Sequence, residues 1–369
     1  MALSRIDTTN MIEDVPQSKL DNNINFRNII INGDMSIAQR GTSATGLGNG
    51  DNGIHTVDRF LFTENGAPTW EFTQTQSTDV PTGQGFTKSL KMDCTTADTS
   101  LATNDMCRIQ QRFEGQNVQY LKYGTSSAES LTVSFWVKSN KTGDYNVSLL
   151  NVDQDRIIGN TYTINSANTW EKKTITYAGD TSGSFDNDNA NSLTIWWGLL
   201  GGTDRVGGDS SSWGANADNK NVAGQTVNLA DSTDNEWYIT GVQLEAGQTA
   251  SEFEFVPYDV NLARCERYYE NSFPLGSYPS SYTGGHAYHT TAFPDGNAPG
   301  TYFRTHKRAA PTVTYRPQNS TTTGQVGSAG TDRSASGSNI NVKQVSYITI
   351  TSGTGNGYVR YNYEADAEL

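Results

Sequence analysis

The sequence predicts an all-β protein: a jelly-roll β-sandwich followed by a smaller C-terminal β domain and preceded by an extended N-terminal arm. Three observations carry this prediction. Of 369 residues only 34% are hydrophobic and 18% charged, and Asn, Thr, Ser and 36 glycines fill the deficit, a composition of turns and half-buried strands rather than helices. With 7 Trp, 18 Tyr and 13 Phe, the chain is too rich in aromatics to be disordered. Residues 130–139, Ser-Leu-Thr-Val-Ser-Phe-Trp-Val-Lys-Ser, alternate with period two. Leu131, Val133, Phe135 and Val137 fall on one face, and Thr132, Ser134, Trp136 and Lys138 on the other, as in a strand with one buried side.

In chain order, residues 1–27 are polar and hold few large apolar side chains, so they read as a docking arm that orders on a partner. Residues 28–257 are strands and turns. After 130–139, the turn Asn140-Lys-Thr-Gly-Asp144 leads into Tyr145-Asn-Val-Ser-Leu-Leu150, which predicts a hairpin. Further strands are predicted at 170–177, 192–200 and 236–244. Between them lie the polar stretches 179–191 and 201–221, the second long enough to be a functional or interface loop. Many strands with irregular turns over some 230 residues point to a two-sheet sandwich of jelly-roll type. Residues 258–270 form a short helical connector: Leu262, Cys265 and Tyr269 recur at helical spacing, and neither Gly nor Pro interrupts them. Residues 271–369 are rich in Pro, Gly, Tyr and Ser and then β-like at 311–316, 340–351 and 357–363, a distal β domain.

Lys plus Arg is 26 against 39 Asp plus Glu, a net charge of −13. Without a basic block this argues against nucleic-acid partners, whose binding runs on Lys and Arg replacing counterions. No run approaches the ~20 apolar residues of a membrane span, so no membrane insertion is predicted. The opening residues lack the apolar core of an export signal, which predicts a protein made in the cytoplasm with reduced thiols. Cys94, Cys107 and Cys265 form no Cys-x-x-Cys pair and predict neither disulfide nor zinc site.

The run Asn28-Ile-Ile-Ile-Asn-Gly-Asp-Met-Ser-Ile-Ala-Gln-Arg-Gly41, followed by Val57-Asp-Arg-Phe60, resembles the opening of the jelly-roll module of bacteriophage tail-fibre proteins. Phe135-Trp-Val-Lys-Ser139 is similar to its middle. Trp237-Tyr-Ile-Thr-Gly-Val-Gln-Leu-Glu-Ala-Gly247, Phe253-Glu-Phe-Val-Pro257 and Leu262-Ala-Arg-Cys-Glu-Arg-Tyr-Tyr269 resemble its end and exit. The first residues, Met1-Ala-Leu-Ser-Arg-Ile6, and the last, Tyr363-Glu-Ala-Asp-Ala-Glu-Leu369, also look like the ends of such fibres. The resemblance frames 28–270, while 271–360 carry no matching motif. It implies a homotrimeric virion protein, attached to the particle through residues 1–27, whose distal β domain touches a host cell-surface glycan. It also implies relatives among jelly-roll carbohydrate-binding modules. The chain lacks the glycine-repeat, heptad or β-helical shaft of a long fibre, so it reads as a short fibre or a distal piece.

Sugar sites use aromatic faces, which stack on the C–H face of a pyranose while amides and hydroxyls bond its hydroxyls. Trp136 and Trp196 lie on the polar phase of their strands, and Trp213 lies in a glycine-rich loop. These three are candidates, set against packing beneath a loop or in a subunit interface. Tyr282, His286, Tyr288 and His289 are candidates for a distal polar–aromatic receptor face. Related modules often carry a structural calcium with acidic ligands in the last strand, but the matching stretch here is Ile239-Thr-Gly-Val242, without an acid. Asp186-Asn-Asp-Asn-Ala-Asn191 lacks the turn Gly and distal Glu of an EF-hand loop. No metal and no cofactor are predicted.

The four His, at 55, 286, 289 and 306, form no His-Glu-x-x-His, and there is no Gly-x-Ser-x-Gly elbow, so no catalytic residue is singled out. The reading is a non-enzymatic virion protein, a phage tail-fibre adhesin. The alternatives are a capsid-attached head fibre or decoration protein, and a polysaccharide depolymerase or free carbohydrate-binding module.

Overall fold

The computed structural model describes residues 26–274, 276–278, 287–288, 297–317, 320–328, 331–350 and 359–369. The predicted docking arm, apart from Phe26 and Arg27, lies outside them. The protein is all-β, a jelly-roll sandwich. Its strands are β1 (Ser43–Leu47), β2 (Leu61–Asn65), β3 (Glu71–Ser77), β4 (Ser89–Thr96), β5 (Met106–Glu114), β6 (Leu131–Ser139), β7 (Gly143–Asn151), β8 (Arg156–Ile164), β9 (Glu171–Tyr177), β10 (Asn191–Gly201), β11 (Gly214–Ala215) and β12 (Glu236–Ala246). They form two six-stranded sheets, β1-β3-β4-β12-β6-β9 and β11-β8-β7-β10-β5-β2. Inner faces meet in one apolar core: Leu131, Val133, Phe135 and Val137 from β6, Tyr145, Val147 and Leu149 from β7, and Leu193, Ile195 and Trp197 from β10.

The predicted hairpin between β6 and β7 is not formed. β6 pairs with β12 and β9, and β7 pairs with β8 and β10, so residues 140–142 carry the chain from one sheet to the other. Both strands have one apolar phase. Stacking those phases face to face buries them against each other, which side-by-side pairing does not do. The crossing is held by the Tyr145 hydroxyl, which donates to the Lys141 carbonyl at 2.8 Å, and by Gly143 at φ +128°.

Residues 201–227 lie over the outer face of the second sheet. Asn146 Nδ2 donates to the Ala223 carbonyl at 3.0 Å and Ser210 Oγ to the Gly159 carbonyl at 3.2 Å. A Cβ on Gly159 would stand 2.9 Å from Ser210 Oγ of this segment and 2.2 Å from Ser148 Oγ on the neighbouring β7, so glycine suits this close approach. The long loop is therefore a lid over its own sheet.

The third sheet comprises β13 (Tyr269–Asn271), β14 (Ala287–Tyr288), β15 (Asn297–Tyr302), β16 (Thr312–Pro317), β17 (Gln325–Ser328), β18 (Thr331–Ile340), β19 (Gln344–Ile350) and β20 (Val359–Asp366). Its path is β13-β20-β17-β18-β19-β15, with β14 and β16 also on β20. It has its own core, including Tyr315, Tyr361, Tyr363, Val345 and Ile348. The helix Tyr258–Glu266 connects it to the sandwich. Among the described residues no helix is long and apolar enough to cross a membrane, and the three cysteines are buried free thiols.

The motif pieces at 28–41, 57–60 and 262–269, with Asn261 just ahead of the last, converge at this junction. Asn32 Nδ2 donates to the carbonyls of Ile37 and Asp58, and Asn261 Nδ2 donates to Asp34 Oδ1 and Ser36 Oγ. Val242 donates its N–H to the Gly33 carbonyl at 2.9 Å, beside a bulge in β12 where Gly241 sits at φ +61° against the Phe86 ring. A Cβ on Gly33 would be 2.1 Å from the Val242 carbonyl oxygen. The C-terminus is held by arginines: Arg40 pairs with Asp366 at 3.1 Å, Arg59 pairs with Glu368, and Arg112 donates to Leu369 O at 2.6 Å. The Arg40 and Arg59 guanidinium groups lie 3.6 and 3.5 Å from the ring centres of Tyr269 and Tyr268.

Asp58, in the middle of this knot, accepts from Gln39 N and Gln39 Nε2. Burial pushes its carboxyl up to about 6, against the pull of Arg40 and the Gln39 bonds. The unfolded chain releases this proton near the ordinary aspartate value. Between about pH 4 and 6 the folded state therefore binds more protons, and Asp58 costs stability as pH rises. Relative to wild type, Asp58→Asn should gain about 1–3 kcal/mol between about pH 4 and pH 7, read from urea midpoints. A difference that stays flat across this window would show that Asp58 does not titrate there.

Candidate functional site

The outer face of the first sheet carries an aromatic patch that contains Trp136. In register, Trp136 sits between Thr240 on β12 and Lys172 on β9, and strand alternation places Lys138 beside it on the same face. Trp136 is half-buried. The Lys138 ammonium stands 4.3 Å from the Tyr238 ring centre and 5.6 Å from that of Trp170, and it pairs with Asp79. The Trp170 indole N–H donates to Asp79 Oδ1 at 3.0 Å, and its ring meets Tyr238 edge-on at 6.1 Å. Lys91 bridges Glu236 at 2.8 Å and Asp93 at 3.5 Å.

This electrostatic network fixes the rings. Burial favours the neutral acid at Asp79, but the bonds from Lys138 and Trp170 outweigh it and hold the carboxyl below its usual range. At Glu236, bonds from Lys91 and Tyr238 likewise outweigh burial. Both carboxylates are thus held ionised beside the lysines. What the face can do is present flat rings flanked by lysines and carboxylates, a surface for stacking and hydrogen bonding.

The other predicted residues do not join it. Trp196 is on the second sheet and is 1% exposed, which corrects its placement on an open face. The lid covers it: its indole N–H donates to the Asn221 carbonyl at 2.7 Å, and the Arg108 guanidinium lies 4.5 Å from its ring. Trp213 is likewise not free. Its indole N–H donates to the Ala178 carbonyl at 2.7 Å and its ring packs edge-on against Tyr123 at 5.8 Å, where Tyr123 stacks on Phe185 at 4.8 Å. Tyr282, His286 and His289 lie outside the described residues, and of Tyr288 only the backbone pairing with Val359 is described.

Sequence reasoning missed Trp170 and Tyr238. Trp170 precedes the first residue of its strand and Tyr238 sits within a motif, yet register alone sets both beside Lys138. Tyr302, one of the tyrosines by which the sequence points to a C-terminal receptor face, stands 77% exposed at the end of β15, and Tyr347, which sequence reasoning did not single out, stands 36% exposed on β19. Among the described residues no three His, Cys, Asp or Glu side chains converge as a metal site requires.

No family model and no curated protein matches the chain. Among solved structures it is similar to the enzymatically active domain of bacteriophage CBA120 tailspike protein 4, at 14% identity and a TM-score of 0.30 over 60% of this chain and 21% of that one. It is also similar to a family 11 carbohydrate-binding module from Clostridium thermocellum in complex with a mixed-linked tetrasaccharide, at 10% identity and a TM-score of 0.28, covering 57% of this chain and 99% of that one. A third similar structure is the CBM22-2 xylan-binding domain from Paenibacillus barcinonensis, at 14% identity and a TM-score of 0.26, covering 50% and 91%. This chain thus spans about a fifth of the tailspike's length.

Proposed function

We propose that the chain is a non-enzymatic virion adhesin, a tail-fibre protein assembled as a homotrimer, that contacts host-surface glycans through its C-terminal sheet. The observation that carries this reading is Tyr302, whose ring stands 77% exposed on a sheet whose neighbouring strands β18 and β19 are rich in Ser, Thr, Asn and Tyr. An exposed ring among hydroxyls and amides offers stacking and hydrogen bonds at low entropic cost. The motif knot supports the reading as well, since it joins the C-terminal sheet to the sandwich so that a load on one end is passed to the other. Threefold assembly would let weak single contacts add by avidity.

The test pairs location with binding. Antibody against the chain should label purified particles of the virus that encodes it, and tail label rather than capsid label distinguishes a tail fibre from a head fibre. On an array of bacterial surface polysaccharides, Tyr302→Ala should lose about tenfold in binding, the effect of removing one stacking ring. Light scattering should give three copies rather than a 40.2 kDa monomer. Unlabelled particles would remove the virion reading. If binding survived Tyr302→Ala but fell with Trp136→Ala, the sandwich patch would be the reader, as for a free carbohydrate-binding module.

A further inference from the structure

A groove of about 320 Å³ opens beside the motif knot, lined by Phe26, Asn117, Tyr120, Arg264, Arg267 and Tyr268 among others, a volume at the lower end for small-molecule sites. A shallower depression of about 690 Å³ continues past Arg264 to Thr305 and His306, so an extended ligand would run from the sandwich toward the C-terminal sheet.

Two features set the groove apart from ordinary surface. Its charge is unbalanced. Arg267 is neutralised by a bidentate pair with the buried Glu114 at 2.7 and 2.6 Å, and the Tyr268 hydroxyl donates to the same carboxylate. Among the described residues Arg264, half-buried beside them, donates to the Asn28 carbonyl at 3.3 Å and makes no ion pair, the Glu254 carboxylate acting on it only through space. In a chain of net charge −13, a half-buried guanidinium with one long hydrogen bond and no ion pair among the described residues keeps most of its donors for something else. Second, the rings flanking it are held outward. Phe26 is 58% and Tyr120 50% exposed, and Phe26 has φ +62°, a left-handed backbone unfavourable for a bulky side chain. The Glu254 carboxylate holds it there by accepting from the N–H groups of Phe26 at 2.7 Å and Asn28 at 2.9 Å.

We propose that this groove binds a carboxylated sugar, with Arg264 as the contact to the carboxylate and the Phe26 and Tyr120 rings flanking the pyranose. A guanidinium fork matches a carboxylate in geometry as well as charge, and the two rings supply the apolar face that a bare anion would not use. The proposal rests on the reading of the chain as a glycan binder but not on its place in a virion.

Calorimetry on the full-length protein tests it with hexagalacturonate, a hyaluronan hexasaccharide and sialyllactose, each against its neutral methyl ester. At least one acid should bind about tenfold more tightly than its ester, the difference expected of a charge-assisted hydrogen-bonded pair. Arg264→Gln should bring acid and ester to the same affinity with an unchanged melting temperature. Arg264→Lys should restore part of the preference, and Tyr120→Ala should weaken acid and ester alike. Three results overturn the proposal: none of the acids binds, Arg264→Gln leaves the preference intact, or acetate or inorganic phosphate displaces the oligosaccharide, which would make this a site for free anions. Array binding that falls with Tyr302→Ala but not with Arg264→Gln would leave the adhesin reading standing while the groove failed.

Discussion

Lys307→Met should destabilise the protein by about 3–5 kcal/mol, the cost of leaving one member of a buried ion pair without its partner. Lys307 and Glu270 meet at 2.6 Å with both side chains fully buried. Burial pulls the Lys307 ammonium below its usual value, and Glu270 and Glu266 oppose that pull. Glu270 also accepts from the Tyr363 hydroxyl at 2.7 Å and from the Arg304 N–H at 3.0 Å, so methionine would leave a carboxylate surrounded by donors but without a cation. The damage should be local. Glu270 lies on β13, which pairs with β20, so limited proteolysis of Lys307→Met should cut within 271–369 and spare the sandwich core. Adding Glu270→Gln should recover most of the loss, because the uncompensated charge is then gone. A double variant as unstable as the single one would mean that the geometry of the bonds, not the charge, holds the junction.

Trp196→Ala should cost about 3–5 kcal/mol, whereas Trp136→Ala should cost about 1 kcal/mol or less, as for a partly exposed ring. Under the lid, Trp196 fills the space between its sheet and Asn221 and lies against Arg108. Burial, helped by Arg112 and Arg205, pushes the Arg108 guanidinium down to about 10. Removing the indole would leave that cation sealed without its ring and the Asn221 carbonyl without its donor. Urea midpoints give the stability difference, and protease cutting within 201–227 should appear in Trp196→Ala alone. If Trp196→Ala proved as mild as Trp136→Ala, the lid would not depend on the ring beneath it.

The two tryptophans show how far the sequence could be read. Each sits on the polar phase of a strand flanked by apolar neighbours, and the local pattern is the same. One stays half-buried, and the other lies under a segment that begins where its strand ends. Alternation reports which face turns from the core. It carries no information on whether another part of the chain covers the opposite face. The same blindness hid β5, where Gln110 and Gln111 are buried. Gln111 is inside because its amide exchanges hydrogen bonds with the backbone of Ile31 at 2.8 and 3.0 Å, acting as a strand partner for a segment 80 residues away.

By itself the sequence determined the all-β class and the strands at β6, β7, β9, β10, β12, β16, β19 and β20. It also determined the helix that starts at 258, because period-two alternation and uninterrupted helical spacing are local properties of the chain; the predicted connector reached 270, whereas the helix ends at Glu266 and Tyr269–Asn271 form β13, paired with β20. Only the tertiary structure decided that β6 and β7 stack across the core instead of pairing, that residues 201–227 close over the second sheet, and that Trp170 and Tyr238 stand beside Lys138. It alone showed that pieces 28–41, 57–60 and 262–269 tie one knot with Arg264 and Phe26 at its rim. The reason is common to all four. Each depends on contacts between residues far apart in the chain, where one polar pattern is compatible with solvent, a covering loop or a neighbouring strand, and burial and hydrogen bonding across the fold select among them.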